Sequence, residues 1–300
     1  MAEIENITYK PLVSIIVNCF NGEKFLKEAL ASISNQTYNN WELIFWDNKS
    51  TDNSKKIFFE FNDKRFKYYL AEKHTSLYEA RNNAIQESQG EIIAFLDVDD
   101  WWKKDKLQKQ IVLFKDKNIG LVYSNCYLFF ENKKKRKIFK REILKTGYIT
   151  KYLFKTHSVG LLTVLLRKEA YNSVSGFNNA YSIIGDFDMK IRLSLKWKFD
   201  CVQEPLAYYR IHDKNFSSTH NSLEIDEFEN WISNKEINSN NNLRPYLHYI
   251  NQKITFLKTI KNINDGKLVK AIKNIILFPI GLNKIKLLLY ILLPKRFINK

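Results

Sequence analysis

The sequence is poor in cysteine, glycine and proline. Its 300 residues include three cysteines, Cys19, Cys126 and Cys201, which are widely spaced and form no Cys-x-x-Cys pair. An odd and scattered set of this kind excludes a disulfide framework and a zinc ribbon, and it favours a reducing compartment. Nine glycines and five prolines leave little room for long flexible linkers, and a hydrophobic content of 45% excludes global disorder.

The sequence also lacks a recognisable targeting segment and a long apolar run. Its first five residues form neither a basic nor an apolar region, so we expect no signal peptide. No stretch of about 18 apolar residues is free of charge, so we expect no membrane-spanning helix. We therefore expect a cytoplasmic protein that is either free in the cytosol or lies peripherally at the cytoplasmic face of a membrane without crossing it.

Acidic residues are too few to balance the basic ones. The 48 Lys and Arg outnumber the 32 Asp and Glu, which gives a formal net charge of +16. Such an excess attracts nucleic acid, anionic lipid or phosphorylated substrates. No helix-turn-helix, zinc-finger or RNA-recognition signature is present, so we expect no nucleic-acid partner.

The sequence does contain an alternation of apolar runs and amphipathic segments. The predicted strands are residues 12–17, 42–46, 66–70, 92–96, 121–124, 161–166 and 207–210. Helices are predicted between the first four strands and over residues 185–195, and only helices are predicted beyond Asn221. The alternation predicts βαβ units and an open, mostly parallel sheet. Ligands bind beyond the carboxyl ends of such strands, so polar segments at these ends are candidates for chemistry.

Three carboxylates follow the predicted strand at residues 92–96. Asp97, Asp99 and Asp100 lie within four residues, and they repel one another unless a cation or hydrogen-bond donors compensate them. Oxygen ligands of this kind suit Mg²⁺ or Mn²⁺, which keep waters and bridge to substrate phosphates. The alternative is a solvated loop in which Asp99 or Asp100 caps a helix that starts near Trp102.

Four further side chains occupy positions from which they can take part in chemistry. The carboxylate of Asp47 can accept from the N3–H of uracil, or its loop simply caps the next helix. Arg81 can reach a diphosphate or lie on a solvated helix face. Asp186 can serve as a base at a helix N-terminus or cap that helix. His212 can bind metal or phosphate or be structural.

Taken in order, these segments resemble those of glycosyltransferase family 2. The resemblance runs from about Pro11 to Ser218 and rests on Asn21-Gly22-Glu23, the loop 47–52, Ala80-Arg81-Asn82, Leu96-Asp97-Val98-Asp99-Asp100, Gly176-Phe177, Gly185-Asp186 and Tyr209-Arg210-x-His212. It implies the α/β GT-A fold, a Rossmann-like sheet flanked by helices, over residues 1–218. The nucleotide-sugar half would span about 11–100 and the acceptor half about 101–218. Residues 219–300 would form a helical, basic C-terminal extension.

The same resemblance implies an activity and a set of site residues. It implies an inverting, metal-dependent hexosyltransferase that moves a sugar from a nucleotide-sugar, expected to be a UDP-sugar, to a hydroxyl of a saccharide or lipid-linked saccharide. The product would belong to a cell-surface polysaccharide or glycolipid. Asp186 would be the general base, and Asp99, Asp97 and His212 would hold Mn²⁺ or Mg²⁺. The residues implied to bind the nucleotide-sugar are Asn21, Glu23, Asp47, Arg81 and Asp97. The alternative is a basic nucleic-acid- or membrane-binding module on a degenerate transferase fold, against which the intact Asp97, Asp99 and Asp186 argue.

Three segments depart from the pattern usual in that family. Asn18-Cys19-Phe20-Asn21 stands where Pro-Thr-Tyr-Asn is common, and Asp47-Asn48-Lys49-Ser50 replaces Asp-Asp-Gly-Ser. Both changes alter the expected surroundings of the nucleotide-sugar. Gly185-Asp186 replaces a Glu-Asp pair, which keeps the base and removes its acidic neighbour.

At the end of the sequence, basic residues alternate with apolar runs. Residues 267–300 contain eight Lys and Arg and no Asp or Glu, interleaved with the apolar runs 275–278 and 287–293. Such short runs flanked by lysine suit helices that lie in an anionic membrane surface, although ordinary packing helices are the alternative. A lipid-linked acceptor would explain that location. A second basic cluster, residues 133–137, either joins the same face or forms a solvated hairpin.

Overall fold

The structure is a computed structural model that describes residues 9–213, 215 and 221–292. The chain forms two compact units, Met1–His212 and Asp213–Lys300. The domain boundary predicted between residues 218 and 219 lies outside the described residues.

The first half of the sheet in the first unit is parallel. Its strands are β1 (Val13–Cys19), β2 (Trp41–Asp47), β3 (Phe66–Leu70) and β4 (Ile92–Phe95). β1 lies between β2 and β4, and β3 pairs with β2. β1, β2 and β4 are almost entirely buried because they are near-continuous apolar runs, as strands covered on both faces require. The helices that follow β1 to β3 are α1 (Glu23–Ser34), α2 (Ser54–Phe59) and α3 (Leu77–Gln86). The predicted βαβ arrangement is confirmed here.

The second half of the sheet is mixed. Its strands are β5 (Trp101–Trp102), β6 (Ile119–Phe130), β7 (Lys135–Ile138), β8 (Leu165–Arg167) and β9 (Lys198–Ile211). The order along the sheet is β3-β2-β1-β4-β8-β6-β9-β5, with β7 paired to β6. β8 is antiparallel to β4 and β6, whereas β6 and β9 are parallel. The helices of this half are α4 (Lys106–Ile111), α5 (Thr150–Thr156), α6 (Lys168–Ser173) and α7 (Gly185–Ser194).

Two predicted elements are wrong in this half. Residues 161–166 were expected to be one strand, but Leu161–Thr163 is a 3₁₀ turn and β8 begins only at Leu165. The Thr163 hydroxyl donates to the Gly160 carbonyl at 2.7 Å, a local bond that competes with strand pairing. The helix expected near Trp102 begins at Lys106 instead, because Trp101 and Trp102 pair with β9.

The second unit is helical in its described residues, as predicted. Its helices are α8 (Asn221–Ser233), α9 (Lys235–Ser239), α10 (Leu247–Asn264), α11 (Leu268–Leu277) and α12 (Leu282–Leu292). Ile275, Phe278 and Leu287 form a small core there. Within residues 9–213, 215 and 221–292, we find no helix with the length and apolar character needed to span a bilayer.

Candidate active site

The loops that follow β1 and β2 are joined at the carboxyl edge of the sheet. Asn21 has a left-handed backbone (φ 55°), and its Oδ1 accepts from the Thr51 amide at 2.8 Å. Glu23 Oε2 accepts from the Asn53 amide at 3.0 Å, while the Glu23 amide donates to Asp52 Oδ2 at 2.9 Å. The two predicted nucleotide-binding residues, Asn21 and Glu23, therefore use their side chains to hold the two loops together.

Asp47 is buried at the end of β2. Its Oδ1 accepts from the Ser50 amide at 2.7 Å and its Oδ2 accepts from the Tyr68 hydroxyl at 2.5 Å. Burial and this hydrogen bond raise the pKa of Tyr68, so the hydroxyl stays a donor. Both carboxylate oxygens of Asp47 therefore have a protein partner, because β3 brings Tyr68 beside Asp47. The alternative in which the loop after β2 caps the next helix is limited to a 3.0 Å bond from the Ser54 amide, at the start of α2, to Asp52 Oδ1.

An exposed aromatic ring lies next to these loops. The side chain of Phe20 is 51% exposed, and its ring centroid is 4.3 Å from that of His74. His74 Nδ1 lies 2.9 Å from the carbonyl oxygen of Asn48, which fixes the imidazole to the loop after β2. A half-exposed ring at this edge can stack on a planar ligand. Phe20 was not among the predicted site residues, although its position directly after β1 indicated this edge of the sheet.

Arg81 is buried on α3 and faces the loop after β4, here called the acidic loop, which carries Asp97, Asp99 and Asp100. Its Nη2 donates to Asp97 Oδ1 at 2.6 Å, and its guanidinium lies 5.4 Å from the ring centroid of Tyr78. The alternative of a solvated helix face is wrong for Arg81, which is 4% exposed. The Asp97 side chain remains 43% exposed, so this ion pair reaches the surface through Asp97.

The three carboxylates of the acidic loop have separate partners. Asp99 Oδ2 lies 3.0 Å from His212 Nε2. Burial and repulsion by Asp97 raise the pKa of Asp99, and the hydrogen bond with His212 opposes that rise. Asp100 is buried and its Oδ1 accepts from the Arg210 amide at 2.8 Å. The alternative in which Asp99 or Asp100 caps a helix near Trp102 is therefore wrong.

A divalent cation fits part of the predicted ligand set. The structure brings Asp99 and His212 together, whereas Asp97 is bound to Arg81. Among the residues that the structure describes, no three His, Cys, Asp or Glu side chains form a ready metal cluster. Mg²⁺ and Mn²⁺ commonly use one or two protein ligands together with waters and substrate phosphates. A carboxylate beside an imidazole suits an ion held in that way.

Arg210 on β9 positions the loop that carries Asp97, Asp99 and Asp100, a role that was not predicted from the sequence. Its Nε donates to the Asp99 carbonyl at 2.7 Å, and its guanidinium forms ion pairs with Glu28 and Glu131. The same guanidinium lies 4.4 Å from the ring centroid of Phe25. Because Arg210 is almost fully buried, these contacts fix the loop from the interior of the protein. Its place two residues before His212 on a strand was the available signal.

Asp186 lies in the first turn of α7 and carries an ion pair. Its Oδ2 accepts from Lys190 Nζ at 2.7 Å, and the same ammonium donates to the Val159 carbonyl at 2.6 Å. Burial by itself raises the pKa of Asp186, but the Lys190 ammonium and the Arg81 guanidinium outweigh it and hold that pKa below its ordinary value. The helix begins after Ile184 without a side-chain cap, so Asp186 is not a capping residue. Arg81 thus interacts with both Asp97 and Asp186.

The glycine before Asp186 is required by Tyr78. The Tyr78 hydroxyl donates to the Ile183 carbonyl at 2.8 Å, which holds the start of α7. A Cβ added to Gly185 would lie 2.6 Å from two ring carbons of Tyr78. The glutamate that is usual at this position in the resembling family is therefore excluded as long as Tyr78 occupies the space.

Asn82 fixes the Gly176-Phe177 segment to α3. Its Nδ2 donates to the Phe177 carbonyl at 2.9 Å, and the Phe177 amide donates to its Oδ1 at 3.2 Å. Arg192 Nη2 donates to the Gly176 carbonyl at 2.8 Å from the other side. The segment therefore serves to hold α3 and α7 in place around Asp186.

Comparisons with known proteins show the family and the fold of the chain. The profile described as Glycosyl transferase family 2 matches residues 14–174. The UDP-Glc:alpha-D-GlcNAc-diphosphoundecaprenol beta-1,3-glucosyltransferase WfgD of Escherichia coli is 35% identical over 164 residues, which cover 55% of this chain and 63% of that enzyme. The putative teichuronic acid biosynthesis glycosyltransferase TuaG of Bacillus subtilis is 30% identical over 215 residues, which cover 70% and 83% of the two chains. The solved mannosyltransferase PcManGT from Pyrobaculum calidifontis, in complex with GDP-Man and Mn²⁺, has a TM-score of 0.64 at 16% identity, covering 94% and 79%.

Proposed function

Because the chain belongs to glycosyltransferase family 2 and has the GT-A fold, we propose that it transfers a sugar from a nucleotide-sugar to an acceptor hydroxyl with inversion. The acceptor is a saccharide or a lipid-linked saccharide, and the product is part of a cell-surface polysaccharide or glycolipid. The observation that carries the proposal is the position of Arg81, which pairs with Asp97 and lowers the pKa of Asp186. The carboxylates proposed for the donor and for the base therefore belong to one site.

Asp186 is proposed to take the proton from the acceptor hydroxyl. A general base must be ionised at the working pH, and the two nearby cations keep the carboxylate of Asp186 in that form. The hydroxyl then attacks the anomeric carbon from the face opposite the leaving diphosphate. A single displacement of this kind inverts the anomeric centre and needs no nucleophile from the protein. Lys190 holds the carboxylate in place throughout, since its ammonium is anchored on Val159.

Asp99 and His212 are proposed to hold a divalent cation, Mn²⁺ or Mg²⁺. When bound, such an ion neutralises the negative charge that develops on the leaving nucleoside diphosphate. Arg210 maintains the loop that carries Asp99. Asp97, whose Oδ1 accepts from Arg81, is proposed to contact the donor ribose or the cation. The Mn²⁺ present in the PcManGT complex supports this assignment.

The donor is proposed to be a UDP-sugar. The exposed face of Phe20 is where we place the uracil ring, beside the loop that Asp47 holds through the Ser50 amide. In this arrangement Asp47 shapes the nucleobase site through Ser50 and Tyr68. The UDP-Glc donor in the name of WfgD, 35% identical over 164 residues, supports the proposal.

A panel of nucleotide-sugars tests this function directly. We expect the chain to release UDP from one UDP-sugar in the presence of Mn²⁺ and a suitable acceptor, and to lose that release when a chelator is added. GDP-mannose and dTDP-glucose serve as donor controls. Preferential release of GDP or dTDP would contradict the UDP donor, chelator-resistant release would contradict the metal, and no release from any donor would contradict catalysis.

The second unit is proposed to bind an anionic membrane surface. Residues 267–292 contain five lysines and no Asp or Glu. The exposed large apolar side chains of this segment are Leu268, Val269, Ile272, Ile276, Leu277, Ile280, Leu282, Ile285, Leu288, Leu289 and Leu292. Lysines around exposed apolar side chains suit the boundary between lipid headgroups and acyl chains. A lipid-linked acceptor would be reached from that position.

Removing apolar side chains from this surface is expected to release the protein from vesicles. The triple variant Val269→Ser, Ile276→Ser, Ile280→Ser should partition about a thousandfold less to phosphatidylglycerol vesicles, because each buried side chain of this size contributes about 1.5 kcal/mol. Turnover with a short water-soluble acceptor should be unchanged. Phe59→Ser, Ile143→Ser, Tyr148→Ser removes three exposed large side chains of the first unit and serves as the control, assayed by vesicle sedimentation. Equal sedimentation of both triple variants would rule out this surface as the membrane contact.

A further inference from the structure

The turn between β6 and β7 carries an uncompensated positive charge. Residues 131–137, here called the basic hairpin, contain five consecutive basic residues and one carboxylate, Glu131. Glu131 pairs with Lys134, and Arg136 packs on the sheet. Lys133, Lys135 and Lys137 are exposed, and within the described part of the chain no carboxylate lies within ion-pair distance of any of these three.

The basic hairpin has a defined conformation. β7 pairs with β6 in an antiparallel register, and Lys134 takes the left-handed conformation that closes the turn (φ 48°). The Arg136 guanidinium lies 4.7 Å from the ring centroid of Tyr127, and its Nη1 donates to the Tyr208 hydroxyl at 2.9 Å. The exposed lysines are therefore presented on an ordered backbone, which lowers the entropy lost when an anion binds.

A buried arginine connects the basic hairpin to the acidic loop. Arg210 forms an ion pair with Glu131 at the start of the hairpin, and its Nε donates to the Asp99 carbonyl at 2.7 Å. In the β6–β9 register Phe130 lies opposite Ile211, the residue before His212. The basic hairpin therefore leaves the sheet at the same edge as Asp99 and His212.

We propose that the basic hairpin binds the diphosphate of a lipid-linked acceptor through Lys133, Lys135 and Lys137. This inference rests on the proposed function and names the chemical group by which the acceptor is recognised. The donor diphosphate has its own partner in the cation of Asp99 and His212, so it does not account for these lysines. An acceptor without phosphate offers nothing for three exposed cations to bind. A diphosphate next to the acceptor sugar carries compact negative charge, and lysine ammonium groups bind such charge well.

Titration with geranyl diphosphate tests the proposal on the full chain. This soluble diphosphate monoester carries neither sugar nor nucleoside, and saturating UDP with Mn²⁺ keeps it out of the donor site. Lys133→Ser, Lys135→Ser, Lys137→Ser should weaken its binding by about a hundredfold, because the three ammonium groups that bind the diphosphate are removed. The control Lys56→Ser, Lys115→Ser, Lys117→Ser removes the same charge from exposed positions away from the hairpin and should bind as the wild type does.

Kinetics distinguish the diphosphate from other anions. The hairpin variant should have a similarly raised KM for a diphosphate-linked acceptor, with kcat and the KM for a phosphate-free glycoside unchanged. Equal binding of geranyl diphosphate by the two triple variants would overturn the proposal. The proposal would also be overturned if the hairpin variant no longer bound phosphatidylglycerol vesicles but bound geranyl diphosphate as the wild type does, because the ligand would then be a lipid headgroup. Failure of the wild type to bind UDP with Mn²⁺ would count against the proposed function alone, because the two triple variants are compared without turnover.

Discussion

Replacing Asp186 by asparagine is expected to lower kcat by about a thousandfold, the usual contribution of a positioned general base. Asparagine keeps the shape of the side chain but cannot take the acceptor proton. Binding of UDP with Mn²⁺ should be retained, because the proposed contact of Asp186 is with the acceptor hydroxyl and not with the nucleotide. The measurement is the rate of UDP release at saturating donor and acceptor, together with a titration of UDP in the presence of Mn²⁺.

The neighbouring carboxylate of α7 provides a matched control. Asp188 pairs with Arg192 in the same i,i+4 arrangement in which Asp186 pairs with Lys190. Asp188→Asn should destabilise the helix to a similar extent and leave kcat unchanged. Near-normal turnover of Asp186→Asn, or an equal loss in both variants, would remove Asp186 from the role of base.

The pH profile of kcat provides a second readout of the same residue. The pKa of Asp186 is held below its ordinary value, so activity should persist at neutral pH and fall only as the pH drops through that lowered pKa. In Lys190→Met the burial of Asp186 is opposed by Arg81 and by the backbone hydrogen bond from Phe187 without the Lys190 ammonium, so the acidic limb of the profile should move to higher pH. A role confined to folding would leave that limb in place.

Replacing Asp99 by asparagine is expected to abolish the coupling between Mn²⁺ and UDP. In the wild type we expect Mn²⁺ to raise the affinity for UDP, because the proposed cation would be held by Asp99 and His212 together with the bound nucleotide. Turnover of the variant should fall by about a thousandfold, since the charge stabilisation from a bound ion is worth several kcal/mol. Calorimetric titration of UDP with and without Mn²⁺ measures the coupling directly.

Two comparisons make the Asp99 experiment specific. His212→Ala should weaken the coupling as well, because the structure places its imidazole 3.0 Å from the Asp99 carboxylate. Asp116→Asn removes an exposed carboxylate before β6 and should behave as the wild type does. If Mn²⁺ raises the affinity of Asp99→Asn for UDP as strongly as that of the wild type, the cation is bound elsewhere.

Much of the first half of the fold was predictable because its signals are local. β1 and β4 are buried on both faces, and an uninterrupted apolar run identifies such strands without knowledge of their partners. The two wrongly predicted elements, at residues 161–166 and near Trp102, depend on a competing local hydrogen bond in one case and on a distant strand in the other. Thr163 turns its own segment through a side-chain bond, and Trp102 becomes a strand only because Ala207 lies beside it.

The candidate site shows the same difference: local sequence signals identified the residues, whereas their side-chain partners depend on the tertiary structure. The sequence alone determined that Asp97, Asp99, Asp186 and His212 follow strands or begin a helix, since those patterns depend on neighbours in the chain. Only the tertiary structure decided that Asp97 binds Arg81 and that Asp99 meets His212, 113 residues away. It also decided that Asp47 is closed off by Tyr68 and that Tyr78 requires a glycine before Asp186. Side-chain partners of this kind depend on how helices and strands pack, and packing brings together residues whose separation in the sequence carries no local signal.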